Sequence, residues 1–118
     1  MAHILQVAYY KTLLEFRTRM LESGGYRITS ALGNDEAFGL DATVIATVDL
    51  IVIGFSASHP IRTTAVHWFK QRYPTIPAVV LRFHGFEKFP EAGATLSEDP
   101  KIWLEAIAGI LKTGLLNY

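Results

Sequence analysis

Cysteine is absent from the 118 residues. That excludes disulfides, thiolate metal centres and cysteine nucleophiles, and it suits a reducing compartment. An excess of either charge is also missing, since 11 Lys and Arg face 11 Asp and Glu for a formal net charge of +0. Nucleic-acid binders carry a basic excess or stripe, so no nucleic-acid partner is expected. A neutral chain has little colloidal repulsion, which favours self-association. No apolar run approaches the roughly 18 residues that span a bilayer, and the first residues lack the charged region of a secretory signal. The expectation is a cytoplasmic protein without a membrane partner. No GxGxxG or P-loop sequence occurs, and His3, His59, His67 and His84 show no ligand spacing. Neither a cofactor nor a metal is therefore expected.

Half of the residues are apolar or aromatic, enough for one packed core, and the length suits one domain spanning 1–118. Strand-like and helix-like runs alternate. His3–Ala8 is a short strand, and Lys11–Ser23 a helix with a stripe of Leu13, Phe16 and Met20 beside Leu14 and Leu21. Gly24-Gly25 ends it. Tyr26–Ala31 alternates like a strand, and Asn34 is an N-cap for a helix continuing through Ala37, Leu40 and Val44. Asp49–Gly54 is nearly continuous Leu, Ile and Val, as in a parallel strand covered on both faces. Ile61–Tyr73 is a helix with Val66, Phe69 and Tyr73 inward, and Ala78–Leu81 a second buried strand. Ala94–Leu96 is a weak fifth strand. Asp99-Pro100 starts a last helix with a stripe of Ile102, Trp103, Ala106, Ile107, Ile110 and Leu111. Residues 112–118 form a tail. This order predicts an α/β fold: a doubly wound, five-stranded parallel sheet with right-handed crossovers.

The order and spacing resemble the response-regulator receiver family of two-component signal transduction, over essentially the whole chain. Residues 3–31 resemble its first strand, first helix and second strand. Residues 48–60 resemble the strand that ends in the phosphoacceptor and the loop beyond it, and residues 73–83 its Pro-flanked fourth strand. The resemblance implies a flavodoxin-like (βα)5 fold in which the helix between strands four and five is shortened or lost, because only residues 82–93 separate those strands. It also implies five functional positions at the C-terminal edge of the sheet. These are an acidic pair after strand one, an aspartate after strand three, a Ser or Thr after strand four and a lysine after strand five. Hard oxygen ligands hold Mg²⁺, the aspartate accepts the phosphoryl group, and the hydroxyl and ammonium bind it. Here Ala8 and Tyr9 stand at the acidic pair, Gly54 at the acceptor and Arg82 at the hydroxyl position. The lysine position falls on Leu96, Ser97 or Glu98. Asp49, at the other end of its strand, is roughly 16 Å away at about 3.3 Å per residue. The implied protein is a pseudo-receiver that is not phosphorylated, has no enzymatic activity and serves as an interaction or dimerisation module.

Other residues carry their own expectations. Phe83, Phe86 and Phe89 form either an exposed aromatic patch for a partner or homodimer contact, or a plug over the missing helix. Trp103, Ile107 and Ile110 are either part of the same interface or core. Tyr9 and Tyr10 either close the former metal pocket with apolar bulk or line a small-ligand site with a hydroxyl. Arg82, with Ser56, Ser58, Thr63 and Thr64, is a candidate site for a small anion, against which stands an exposed or ion-paired arginine. Gly54-Phe55-Ser56-Ala57-Ser58 partly matches a nucleophile elbow, with His59, His67 or His84 as base, which gives a remote hydrolase reading at Ser56.

Overall fold

A computed structural model describes residues 1–82 and 87–114. Its elements are β1 (His3–Ala8), α1 (Lys11–Ser23), β2 (Arg27–Leu32), α2 (Gly33–Phe38), α3 (Ala42–Ile45), β3 (Leu50–Ile53), α4 (His59–Arg72), β4 (Ala78–Arg82), β5 (Ala94–Ser97) and α5 (Pro100–Thr113). The strands form one sheet in the order β2-β1-β3-β4-β5, and every pairing is parallel. This is the doubly wound arrangement that the alternation of elements predicts.

The physical cause is burial on both faces. Every residue of β1 and β3 is buried, so side chains pointing either way need a covering layer. On one face Leu5, Val7, Ile51, Ile53 and Val80 pack with Ala65, Val66 and Phe69 of α4 and Ala37 of α2. On the other, Ile4, Leu50, Val52, Val79 and Leu81 pack with Leu21 of α1 and with Trp103, Ala106, Ile107 and Ile110 of α5. Trp103 and Ile107 are fully enclosed, and burying a large apolar side chain contributes about 1.5–3 kcal/mol. These positions are core, which removes Trp103, Ile107 and Ile110 from the expected interface.

Four local expectations are corrected. Asn34 is not a cap: α2 begins at Gly33 with Leu32 as its N-cap residue. The helix expected through Val44 is two helices, because Gly39 ends α2 and the Asp41 carboxylate accepts from the Thr43 amide to start α3. In α1 the buried residues are Arg17 and Leu21, whereas Phe16 is 46 % exposed. The stripe has the helical period, but α1 is rotated so that Arg17 and Leu21 face the sheet. The tail begins later than Lys112, since α5 runs to Thr113 and ends on Gly114 at φ 72, a left-handed conformation suited to glycine. Of the stretch between β4 and β5, residues 87–93 carry no helix, and Phe83 to Phe86 lie outside the described residues.

Candidate functional site

Parallel α/β sheets place ligands beyond the C-terminal ends of their strands, where connections to the two faces diverge. In this chain that edge is built by Ala8, Leu32, Gly54, Arg82 and Ser97. Register sets their relative heights: Ala8 pairs with Leu32, Val7 with Ile53, and Arg82 with Ser97. The Gly54 amide donates to the Val7 carbonyl at 2.8 Å, which carries the β1–β3 ladder one residue past β3.

Gly54 faces α1. A Cβ placed on it would lie 2.7 Å from Nη1 of Arg17 and 3.3 Å from the Val7 carbonyl oxygen. The guanidinium thus occupies the space in which a side chain at residue 54 would begin. Arg17 is 2 % exposed. Its Nη1 donates to Gln6 Oε1 at 3.5 Å, and its guanidinium carbon lies 5.3 Å from the centre of the Phe55 ring. Nη2 is buried without a hydrogen-bond partner. Burial lowers its pKa from 12.5 to about 10, so it is charged at neutral pH. Gln6 in turn donates to the Leu14 carbonyl and to the Thr18 and Ser30 hydroxyls, which makes a polar layer under α1 in the middle of the sheet.

A second buried arginine stands across the sheet. Arg62 of α4 is 3 % exposed and forms an ion pair with Glu87 through both terminal nitrogens. Its Nε donates to the Ala57 carbonyl at 2.9 Å, and its guanidinium lies 4.9 Å from the centre of Phe89. Phe89 is 5 % exposed and stacks on His59 at 4.4 Å. Of the two readings of this aromatic loop, Phe89 takes the plug, and Phe83 and Phe86 lie outside the described residues. Beside Arg62, the half-buried Tyr9 donates its hydroxyl to Asn34 Oδ1 at 2.7 Å, and Asn34 Nδ2 donates to the Ile61 carbonyl at 3.0 Å. Burial raises the Tyr9 pKa well above its usual value, with a smaller opposing pull from Arg62.

The residues expected to hold an anion are not brought together. A cavity of about 550 Å³ is lined by Phe55, Ser56, Ala57, Ser58, His59, Arg62 and Glu87. Ser56 and Ser58 border it, but its cation is Arg62, already paired. Arg82 instead donates to the Thr95 carbonyl at 3.0 Å. Thr64 donates to the Pro60 carbonyl, and the Thr63 hydroxyl lies 3.3 Å from His59 Nδ1. The other nitrogen of His59 meets the Lys88 carbonyl at 2.7 Å, so both ring nitrogens are engaged and neither bonds to Ser56. His67 lies against Glu91, and His84 is outside the described residues. Asp49 sits at the opposite edge, where its carboxylate accepts from the His3 amide at 2.8 Å. Glu98 and Asp99 do reach the C-terminal edge, and they line a groove with Arg17. Among the described residues no group of three or more His, Asp or Glu is placed to hold a metal ion, and no helix is long and apolar enough to cross a membrane.

The sequence did carry a sign of Arg62: it falls four before Val66 and seven before Phe69, on the buried stripe of its own helix. Arg17 likewise falls three after Leu14 and four before Leu21. Polar residues at stripe positions are easily passed over.

No family model matches the sequence, and neither does any curated protein. Solved structures do match. A response regulator receiver domain from Clostridium thermocellum is 16 % identical with a TM-score of 0.81, covering 97 % of this chain and 97 % of that one. A LuxR-family two-component response regulator from Aurantimonas sp. is 22 % identical with a TM-score of 0.79, covering 98 % and 87 %. The response regulator TrrA of Thermotoga maritima, solved with Mg²⁺ and BeF, is 16 % identical with a TM-score of 0.78, covering 94 % and 99 %. TrrA has also been solved in complex with the histidine kinase ThkA. The fold is the receiver fold. At these identities the likeness speaks for architecture, and the function rests on the site.

Proposed function

We propose that this chain is a receiver-like signalling domain that is not phosphorylated, catalyses no reaction and acts by binding protein. The observation that carries the proposal is the Arg17 guanidinium, 2.7 Å from where a Cβ on Gly54 would stand. Gly54 follows β3, at the position the family resemblance assigns to the phosphoacceptor. A receiver needs an acceptor oxygen there with hard ligands for Mg²⁺ beside it. Ala8, Tyr9 and Gly54 supply no carboxylate, and the Arg17 guanidinium fills the space where the acceptor side chain would start. Incubation with acetyl phosphate and magnesium is expected to leave the intact mass unchanged. A hydroxylamine-labile adduct of one phosphoryl group would overturn the reading.

The proposed binding face is the same edge. Tyr10 just beyond β1, Leu32 at the end of β2 and Ile61 in the first turn of α4 are 58 %, 40 % and 45 % exposed. The Tyr9–Asn34–Ile61 hydrogen bonds tie these segments together. Exposed apolar side chains grouped on a rigid edge suit a protein partner, and the neutral chain suits a second copy of itself as that partner. The complex of TrrA with the histidine kinase ThkA is a precedent for protein binding by this architecture. Sedimentation velocity at increasing concentration is expected to show a dimer, and Leu32→Ser with Ile61→Ser to shift it toward monomer without loss of helical circular dichroism. A wild-type chain that stays monomeric at high micromolar concentration would remove self-association from the proposal.

A further inference from the structure

We propose that the groove between α1 and α5 binds a small organic monocarboxylate, held at its charged end by Arg17. The groove has a volume of about 310 Å³ and is lined by Leu13, Phe16, Arg17, Phe55, Glu98, Asp99, Pro100 and Trp103. Four of these, Leu13, Phe16, Phe55 and Trp103, form an apolar wall. Arg17 lines the groove too, and its guanidinium is almost wholly buried beside Phe55, with Nη2 lacking a hydrogen-bond partner and Nη1 holding a 3.5 Å contact to an amide oxygen. Among the described residues no carboxylate lies within 4.0 Å of it, since the ion pairs there are Arg62–Glu87 and His67–Glu91. A buried cation without a counter-ion is unfavourable, and a carboxylate entering the groove relieves that. The flat guanidinium fork matches a carboxylate in bidentate fashion.

The groove also selects among anions. Glu98 and Asp99 border it and repel a second negative charge, so a monocarboxylate fits where a phosphate dianion does not. The N-terminus of α5 is not the anchor. The Lys101 amide already donates to the Asp99 carboxylate, and the Ile102 and Trp103 amides donate to the Asp99 carbonyl. Among the described residues, Arg17 is the only cation lining the groove. A volume of about 310 Å³ lies at the lower end of the usual range for ligand pockets, which favours a compact ring or short chain. Glu98 is the internal competitor, since its carboxylate is the nearest in sequence to the groove mouth that is not engaged as a helix cap.

The experiment is a titration of the full chain at low salt with benzoate, cyclohexanecarboxylate, acetate and inorganic phosphate. It is followed by calorimetry and by Trp103 fluorescence in a Trp68→Phe background. Saturable binding is expected for the two ring carboxylates, weaker binding for acetate, and none for phosphate. Arg17→Met should weaken benzoate binding about ten- to a hundredfold, the range of a lost charged hydrogen bond. Arg17→Lys should weaken it less, because it keeps the charge and loses the fork. Glu98→Gln should tighten it by removing the competitor and a repelling charge. The proposal fails if neither ring carboxylate saturates, if phosphate binds equally well, or if Arg17→Met folds with benzoate affinity unchanged. Should Arg17→Met fail to fold, Arg17→Lys with affinity equal to wild type overturns the proposal in its place. These readouts do not depend on whether the chain is phosphorylated or dimeric.

Discussion

The two buried arginines at the C-terminal edge differ in one respect that organises the rest of the molecule. Arg62 on the α4 face is fully engaged, with Glu87, the Ala57 carbonyl and the Phe89 ring around it. Arg17 on the α1 face is equally buried, yet it has one long hydrogen bond and an unpartnered nitrogen. Removing one partner of a satisfied buried pair strands the other, whereas replacing an unsatisfied charge by an apolar group relieves desolvation. One arginine is therefore structural, and the other is a buried charge without a carboxylate partner among the described residues, in front of Gly54 and beside a groove.

The largest expected effect follows directly. Arg62→Met should lower unfolding stability by about 3 kcal/mol in urea denaturation, because Glu87 loses its cation. Arg17→Met should stay within about 1 kcal/mol of wild type or exceed it. The opposite order would break the comparison.

Gly54→Ala sharpens it further. Its new methyl group crowds a movable guanidinium and an immovable Val7 carbonyl, for a loss of about 1–2 kcal/mol. In an Arg17→Ala background the loss should shrink by at least about 0.5 kcal/mol, measured as a double-mutant cycle. Strict additivity would mean that Arg17 does not fill that space.

The alkaline limb separates the two faces by sign. Burial holds the folded-state pKa of Tyr9 above its ordinary 10.0. As pH rises past that value the unfolded chain loses the proton first, and stability falls. For Arg17, lowered to about 10 from 12.5, the folded chain loses its proton first, so stability rises over that interval. Tyr9→Phe should flatten the falling contribution and Arg17→Met the rising one, as read from urea midpoints between pH 9 and pH 11, roughly the span of ordinary tyrosine ionisation.

The smallest effect concerns the groove mouth. Asp99→Ala removes the α5 cap and should lower stability by about 1 kcal/mol, while Asp99→Asn keeps a capping oxygen and should change it by a few tenths. Equal losses in both variants would assign the effect to charge beside Arg17 rather than to the cap.

Much of the fold was legible because burial on two faces writes continuous apolar runs, as in β3 and β4, and because Asp99-Pro100 and Gly24-Gly25 punctuate helices with unambiguous chemistry. The rotation of α1 was not legible. Leu13, Phe16 and Met20 have the right period for a buried stripe, but the polar layer of Gln6, Thr18 and Ser30 draws the Arg17 side of the helix inward. The site was half legible. Ala8, Gly54 and Arg82 do end their strands, yet nothing in the local sequence says that Arg82 turns to Thr95 or that Glu87 meets a residue of α4.

The sequence by itself determined the alternation of strands and helices, the parallel sheet and the absence of acidic side chains at Ala8, Tyr9 and Gly54. These follow from residue type and short-range periodicity, which the chain carries wherever it folds. Only the tertiary structure decided which arginine meets a carboxylate among the described residues and which does not, because a buried charge finds its counter-ion among residues distant in sequence. Arg62 meets Glu87 across 25 positions, while Arg17 meets the empty side of Gly54, and that difference exists only once both faces of the sheet are closed.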